Sequence, residues 1–150
     1  MENNLEKIII GDKLLAIILR ADFKKDGIEF FTPADYSQQL SYMKRPKDYV
    51  VKAHIHNVVK REILFTRETI FIKSGKIRAD FYSDDKKYVE SRILDKGDVL
   101  LLLEGGHGFE FIEAGEIIEV KQGPYFENMD MVRFEPVVKS KLKVKDDSCK

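Results

Sequence analysis

The sequence predicts an all-β protein, a sandwich or barrel of short strands with one short helix near its N-terminal third. Three observations carry this. The apolar segments are brief, rich in Ile, Val and Phe, and bounded by turn residues instead of recurring at a helical period. Turn signals recur about every eight to twelve residues, as in sandwiches and barrels. Only one stretch has the start and stop signals of a helix.

Strands are expected at 14–23, 28–32, 49–56, 62–73, 76–82, 88–94, 99–103, 108–113, 115–121 and 131–138. Ser74-Gly75, Ser83-Asp84-Asp85, Lys96-Gly97-Asp98 and Ala114-Gly115 read as the tight turns between the later ones. The unbroken apolar run 99–103 is the pattern of a strand buried on both faces. A helix is expected over 33–43: Thr32 could cap it, Pro33 suits its first turn, Asp35 sits near the positive end of its dipole, and Pro46 lies beyond its end.

A chain of 150 residues has single-domain length. We read residues 1–138 as one domain and the Lys-rich stretch 139–150 as a charged, solvated tail. Lys plus Arg and Asp plus Glu are equal at 26 each, so no basic field is present to attract nucleic acid. The apolar run 14–19 stops at Arg20, too short to span a bilayer, and no targeting signal or membrane partner is expected. One cysteine, Cys149, excludes a disulfide framework and fits a cytoplasmic setting; it reads as an exposed bystander.

The chemistry concentrates in the histidines. His54 and His56 form an H-x-H pair, and on a strand they would face the same way about 6–7 Å apart. Such a pair reads equally as two polar residues on a solvated face. His107 lies in a glycine cluster, with Gly105, Gly106 and Gly108 allowing a sharp turn after the 99–103 run. Three neutral imidazoles and a carboxylate would suit a transition metal. Glu62 and Glu68 both have the parity to serve, but about 20 Å of strand separates them, so one ion cannot take both. The residue types alone leave that choice open. Tyr125 or Arg133 could touch a ligand carboxylate, but a turn and a surface ion pair are the favoured readings of the two.

The segments H-I-H at 54–56, E-T-I-F-I-K-S-G at 68–75 and G-D-V-L-L-L-L-E-G-G-H-G-F at 97–109 together resemble the two signature motifs of the cupin superfamily. The resemblance spans roughly residues 48–109. Three differences accompany it. Asp48 stands where a glycine precedes H-x-H, the interval from His56 to Glu68 is longer than usual, and Leu103 replaces a proline. The resemblance implies a cupin-type jelly-roll barrel binding one divalent transition metal (Fe, Mn, Zn, Ni, Co or Cu) through His54, His56, Glu68 and His107. Glu68 is favoured over Glu62 because it has the motif spacing to Gly75. No catalytic residue is assigned.

A small-molecule metalloenzyme follows as the leading expectation, a metal-dependent isomerase or oxygenase acting on a polar or anionic, possibly sugar-related, substrate. The alternatives are a non-catalytic ligand-binding or sensor module, and a metal-free epimerase-like site using His107 as a base. A homodimer joined through edge strands is also expected.

Overall fold

Runs of Ile, Leu and Val find antiparallel partners through most of the chain in the computed structural model, which describes residues 4–126 and 129–145. Eleven strands form among them: β1 Leu5–Ile10, β2 Lys13–Leu19, β3 Gly27–Phe30, β4 Ser41–Lys44, β5 Glu68–Ser74, β6 Lys76–Tyr82, β7 Tyr88–Asp95, β8 Val99–Leu102, β9 Gly106–Phe111, β10 Glu116–Lys121 and β11 Val144–Lys145. The sole helical element among the described residues is a 3-10 turn, Lys139–Lys141. The protein is therefore all-β, and none of its described helices is long and apolar enough to cross a membrane. The chain forms two compact units, Met1–Phe23 with Phe65–Lys150, and Lys24–Leu64.

In the larger unit, a five-stranded sheet in the order β1-β2-β8-β5-β10 lies over a four-stranded sheet in the order β11-β7-β6-β9. Alternation decides what is buried between them. Ile8, Ala16, Ile18, Ile70, Ile72, Leu100 and Leu102 come from the first sheet; Ile77, Ala79, Phe81 and Leu94 come from the second, and they form one core. The sheets remain separate in hydrogen bonding, so no closed barrel is formed among the described residues. β6 pairs β7 in one sheet and β5 pairs β8 in the other, both antiparallel. These pairs are nested in sequence around the β6–β7 connection and alternate between sheets.

β1, unanticipated from the sequence, packs because it supplies both Ile8 and a buried carboxylate. Glu6 accepts hydrogen bonds from Arg20 Nε at 2.5 Å and Arg92 Nε at 2.8 Å. Arg92 also pairs with Glu90, and Arg20 with Asp98 at 2.7 Å. Asp98 in turn accepts from the backbone N–H groups of Ala21 and Asp95, closing the expected Lys96-Gly97-Asp98 turn. Each buried charge thus has several partners, the condition under which burial is tolerable.

The C-terminal stretch departs from expectation in two ways. Residues 131–138 take no strand, because Val137 N–H donates to the Tyr82 hydroxyl and Phe134 stacks edge-on against the Tyr82 ring instead of joining a ladder. Part of the stretch read as a solvated tail is ordered: β11 runs parallel to β7, Ser91 N–H donates to the Lys143 carbonyl, and Lys145 pairs with Glu90. A lysine-rich composition concealed a pairing with the Glu90 carboxylate on β7, which Arg92 also holds. Cys149, with the rest of 146–150, lies outside the described residues.

The smaller unit is a β3–β4 hairpin followed by residues 45–64, which take no regular secondary structure. The helix expected over 33–43 is instead a turn leading into β4. Tyr36 N–H donates to the Pro33 carbonyl, and the Thr32 hydroxyl accepts from Leu40 N–H and donates to Gln39 Oε1. The Gln39 amide then donates to the Pro33 and Tyr36 carbonyls. Thr32, read as a helix cap, serves as a loop clamp, and Ser41–Lys44 is drawn into register with Gly27–Phe30. The strand expected at 49–56 is likewise absent.

Candidate functional site

β5 and β9 belong to different sheets, yet their functional side chains point into the same space. Glu68 has the parity of the core residues Ile70 and Ile72, while His107 is registered opposite the core residue Phe81. Both therefore face inward at one end of the sandwich, where His107 Nε2 lies 3.1 Å from Glu68 Oε2. Lys121, opposite Glu68 on β10, holds its ammonium 3.8 Å from Glu68 Oε1. The hydrogen bond from His107 holds the Glu68 carboxyl below the usual range; burial opposes this, and Lys121 assists.

The glycines deliver His107 to that position. Gly105 has φ +73°, and a Cβ there would lie 2.3 Å from the Tyr82 carbonyl oxygen, so no other residue fits the turn into β9. At the other end of β5, Gly75 has φ +79°, and a Cβ would lie 2.4 Å from the Ala114 carbonyl oxygen.

Glu68 and His107 line a cleft of about 590 Å³. Its wall is apolar at Leu102, Phe109, Met131 and Phe134, and polar at Thr66, Glu104, Asp130 and Arg133, with Tyr82 also lining it. That mixture of an apolar body and a few convergent polar groups, in that volume, is typical of a small-molecule site. The Thr66 hydroxyl donates to Asp130 at 2.9 Å, which ties the cleft's C-terminal wall to the chain just before β5. Burial dominates at Tyr82 and raises its hydroxyl above the ordinary phenol value.

The structure thus brings together two of the four expected ligands. The other two, His54 and His56, lie in the smaller unit, in an exposed stretch without regular structure. Their rings are edge to face, with centroids 5.2 Å apart. His54 Nδ1 lies 3.0 Å from the Lys52 carbonyl oxygen. A carbonyl can only accept, so Nδ1 carries the proton, and a neutral ring then keeps the Nε2 lone pair that a metal requires. Glu62, the competing carboxylate, is in the same exposed stretch. Among the described residues, no group of three or more His, Cys, Asp and Glu is positioned to hold a metal.

Arg133, weighed from the sequence as a ligand contact, lines the cleft; Tyr125 does not, its ring lying 5.2 Å from Lys121 Nζ. Sequence reading missed Tyr82 and Lys121, whose only signal is that each ends an expected strand. No family model, curated protein or solved structure matches the chain.

Proposed function

We propose that this chain is a small metal-binding cupin that holds one divalent transition metal with Glu68 and His107, together with His54 and His56. The observation carrying this reading is the 3.1 Å approach of Glu68 and His107 from opposite sheets at the head of a ligand-sized cleft. Two donors on one ion at about 2.1 Å stand about 3.0–3.4 Å apart, so these two side chains need little adjustment to serve as adjacent ligands. The nested, sheet-alternating pairs β6·β7 and β5·β8 support a jelly-roll ribbon as the architecture. A divalent ion at this point would supply Lewis-acid polarisation of a bound oxygen.

The chain's own groups favour a small polar ligand, sugar-related or otherwise anionic at one end. Arg133 offers a guanidinium to a carboxylate or hydroxyl, and Phe109, Met131 and Phe134 cover an apolar body. Catalysis, as a metal-dependent isomerase or oxygenase, is the leading form of this proposal; a non-catalytic ligand-binding role uses the same cleft. Elemental analysis of tag-free protein tests the reading. Near-stoichiometric metal in wild type that is lost in His107→Ala and in His54→Ala/His56→Ala supports it; metal-free protein, even after reconstitution with each candidate ion, removes it.

One arrangement favours a second reading, a metal-free acid–base site. A carboxylate can only accept from His107 Nε2, so Glu68 fixes the Nε2–H form and leaves Nδ1 as the basic nitrogen, as a carboxylate orients histidine in a catalytic triad. Tyr82 in the same cleft is a hydroxyl acid of matching kind. Turnover of a sugar substrate by metal-free protein, lost in Tyr82→Phe, would select this alternative.

A further inference from the structure

One wall of the cleft comes from a segment that belongs to neither sheet. Residues 131–138 follow the Thr66–Asp130 bond and precede the 3-10 turn Lys139–Lys141; Met131, Arg133, Phe134 and Pro136 of this segment line the cleft. Among the described residues, 131–137 makes no backbone-to-backbone hydrogen bond. Beyond it the chain is anchored. Ser91 N–H donates to the Lys143 carbonyl at 3.0 Å, Lys143 N–H donates to the Tyr88 hydroxyl at 2.8 Å, and β11 pairs with β7. All of these elements belong to the larger unit.

Between those anchors the segment is held chiefly at one residue. Tyr82 takes Phe134 edge-on with ring centroids 5.0 Å apart, and its hydroxyl accepts from Val137 N–H at 3.0 Å. Tyr82 itself is fixed: it is buried at the end of β6, registered against Gly106 on β9 and Tyr88 on β7, with its ring centroid 5.8 Å from that of Tyr88. Gly106 forms the seat for Phe134, since a Cβ there would lie 3.0 Å from Phe134 Cζ. Lys86 Nζ also approaches the Phe134 ring, 6.0 Å from its centroid. One hydrogen bond and these ring contacts are a much weaker hold than the laddered, ion-paired sheets. That contrast is what lets a segment open locally while the rest of a domain stays folded.

We propose that residues 131–138 form a strap that opens and closes over the cleft, with Tyr82 as its latch. Phe134 and Val137 leave Tyr82 together, which withdraws the wall while the anchors and both sheets stay in place and gives the cleft an entrance. Arg133 rides on the strap, so a ligand whose anionic end it holds binds the closed form and shifts the population towards it. That last consequence rests on the ligand-binding reading above; the strap itself does not.

Amide hydrogen exchange followed by NMR on full-length, metal-free protein tests the strap. Val137 should exchange through an opening that is insensitive to low urea, and Ser91 through a much rarer, urea-dependent one. Gly106→Ala displaces Phe134 without removing either partner of the Val137 bond, and Phe134→Ala removes the ring without adding bulk at its seat. Each should lower Val137 protection about two- to tenfold, the contribution of one aromatic edge contact, and leave Ser91 unchanged. Val137 exchanging together with Ser91 and with the same urea dependence would overturn the strap, as would unchanged Val137 protection in both variants. Local exchange at Val137 in protein that takes up no metal would keep the strap and remove the metal reading. Metal uptake with Val137 exchanging only globally would do the reverse.

Discussion

Glu68 Oε2 and His107 Nε2 meet at 3.1 Å although their strands belong to different sheets. The contact closes one end of the sandwich, so it couples the two sheets as well as lining the cleft. A double-mutant cycle with Glu68→Gln and His107→Gln should give a coupling of about 0.5–1.5 kcal/mol in urea unfolding of metal-free protein. The figure lies at the low end for a charged hydrogen bond because the His107 side chain is a third exposed. Additive losses would mean that the pair is incidental to the fold.

The pH dependence follows from the same contact. His107 holds the Glu68 carboxyl below its unfolded value of about 4.3. A depressed carboxyl stabilises the fold above that unfolded value and loses its contribution as pH falls through the folded one. Metal-free wild type should therefore lose stability relative to Glu68→Gln on acidification below about pH 4.3, and the two should run parallel above it. Thermal melts across pH 3–7 read this out. A constant difference throughout that range would contradict the assignment.

Glu6 is the junction of the buried ion network, accepting from both Arg20 and Arg92. Glu6→Ala leaves the buried Arg92 and the partly buried Arg20 guanidinium groups short of a partner, and should cost about 3–5 kcal/mol by chemical denaturation. A loss under about 1 kcal/mol, the value of an ordinary surface pair, would show that water replaces the carboxylate readily.

The glycine turns offer a test on the backbone. Gly105→Ala places a side chain at positive φ and drives its Cβ into the Tyr82 carbonyl, so it should cost at least about 1–3 kcal/mol and displace His107. Gly11→Ala has the same sign of φ but meets nothing within 4 Å, and should cost only the conformational part, about 1 kcal/mol. Equal losses in the two variants would show that the close approach at Gly105 is relaxed in solution.

These contrasts also explain what was legible beforehand. The turn glycines Gly75, Gly97 and Gly105, the doubly buried strand β8, and the inward parity of Glu68 are local properties, and each stands where the residue pattern placed it. The Pro33 segment misled because a threonine before a proline caps a helix and clamps a loop with the same hydroxyl; only Gln39 and the β3 register decide between them. β1 was hidden because its buried Glu6 breaks the apolar alternation, and its partners Arg20 and Arg92 are remote in sequence. His54 and His56 have strand composition but no ladder in the described chain, and strand pairing is a non-local event that composition cannot assign.

The proposed metal site makes Glu68 and His107 two ligands of one transition metal. Crystals of full-length protein grown with manganese, iron or zinc, with diffraction recorded on both sides of the metal absorption edge, test it most directly. One anomalous peak is expected within about 2.0–2.3 Å of a Glu68 carboxylate oxygen and a His107 ring nitrogen, with His54 and His56 nitrogens completing the shell. A peak elsewhere, or none while the Glu68–His107 hydrogen bond persists, would contradict it and leave that pair as an acid–base dyad.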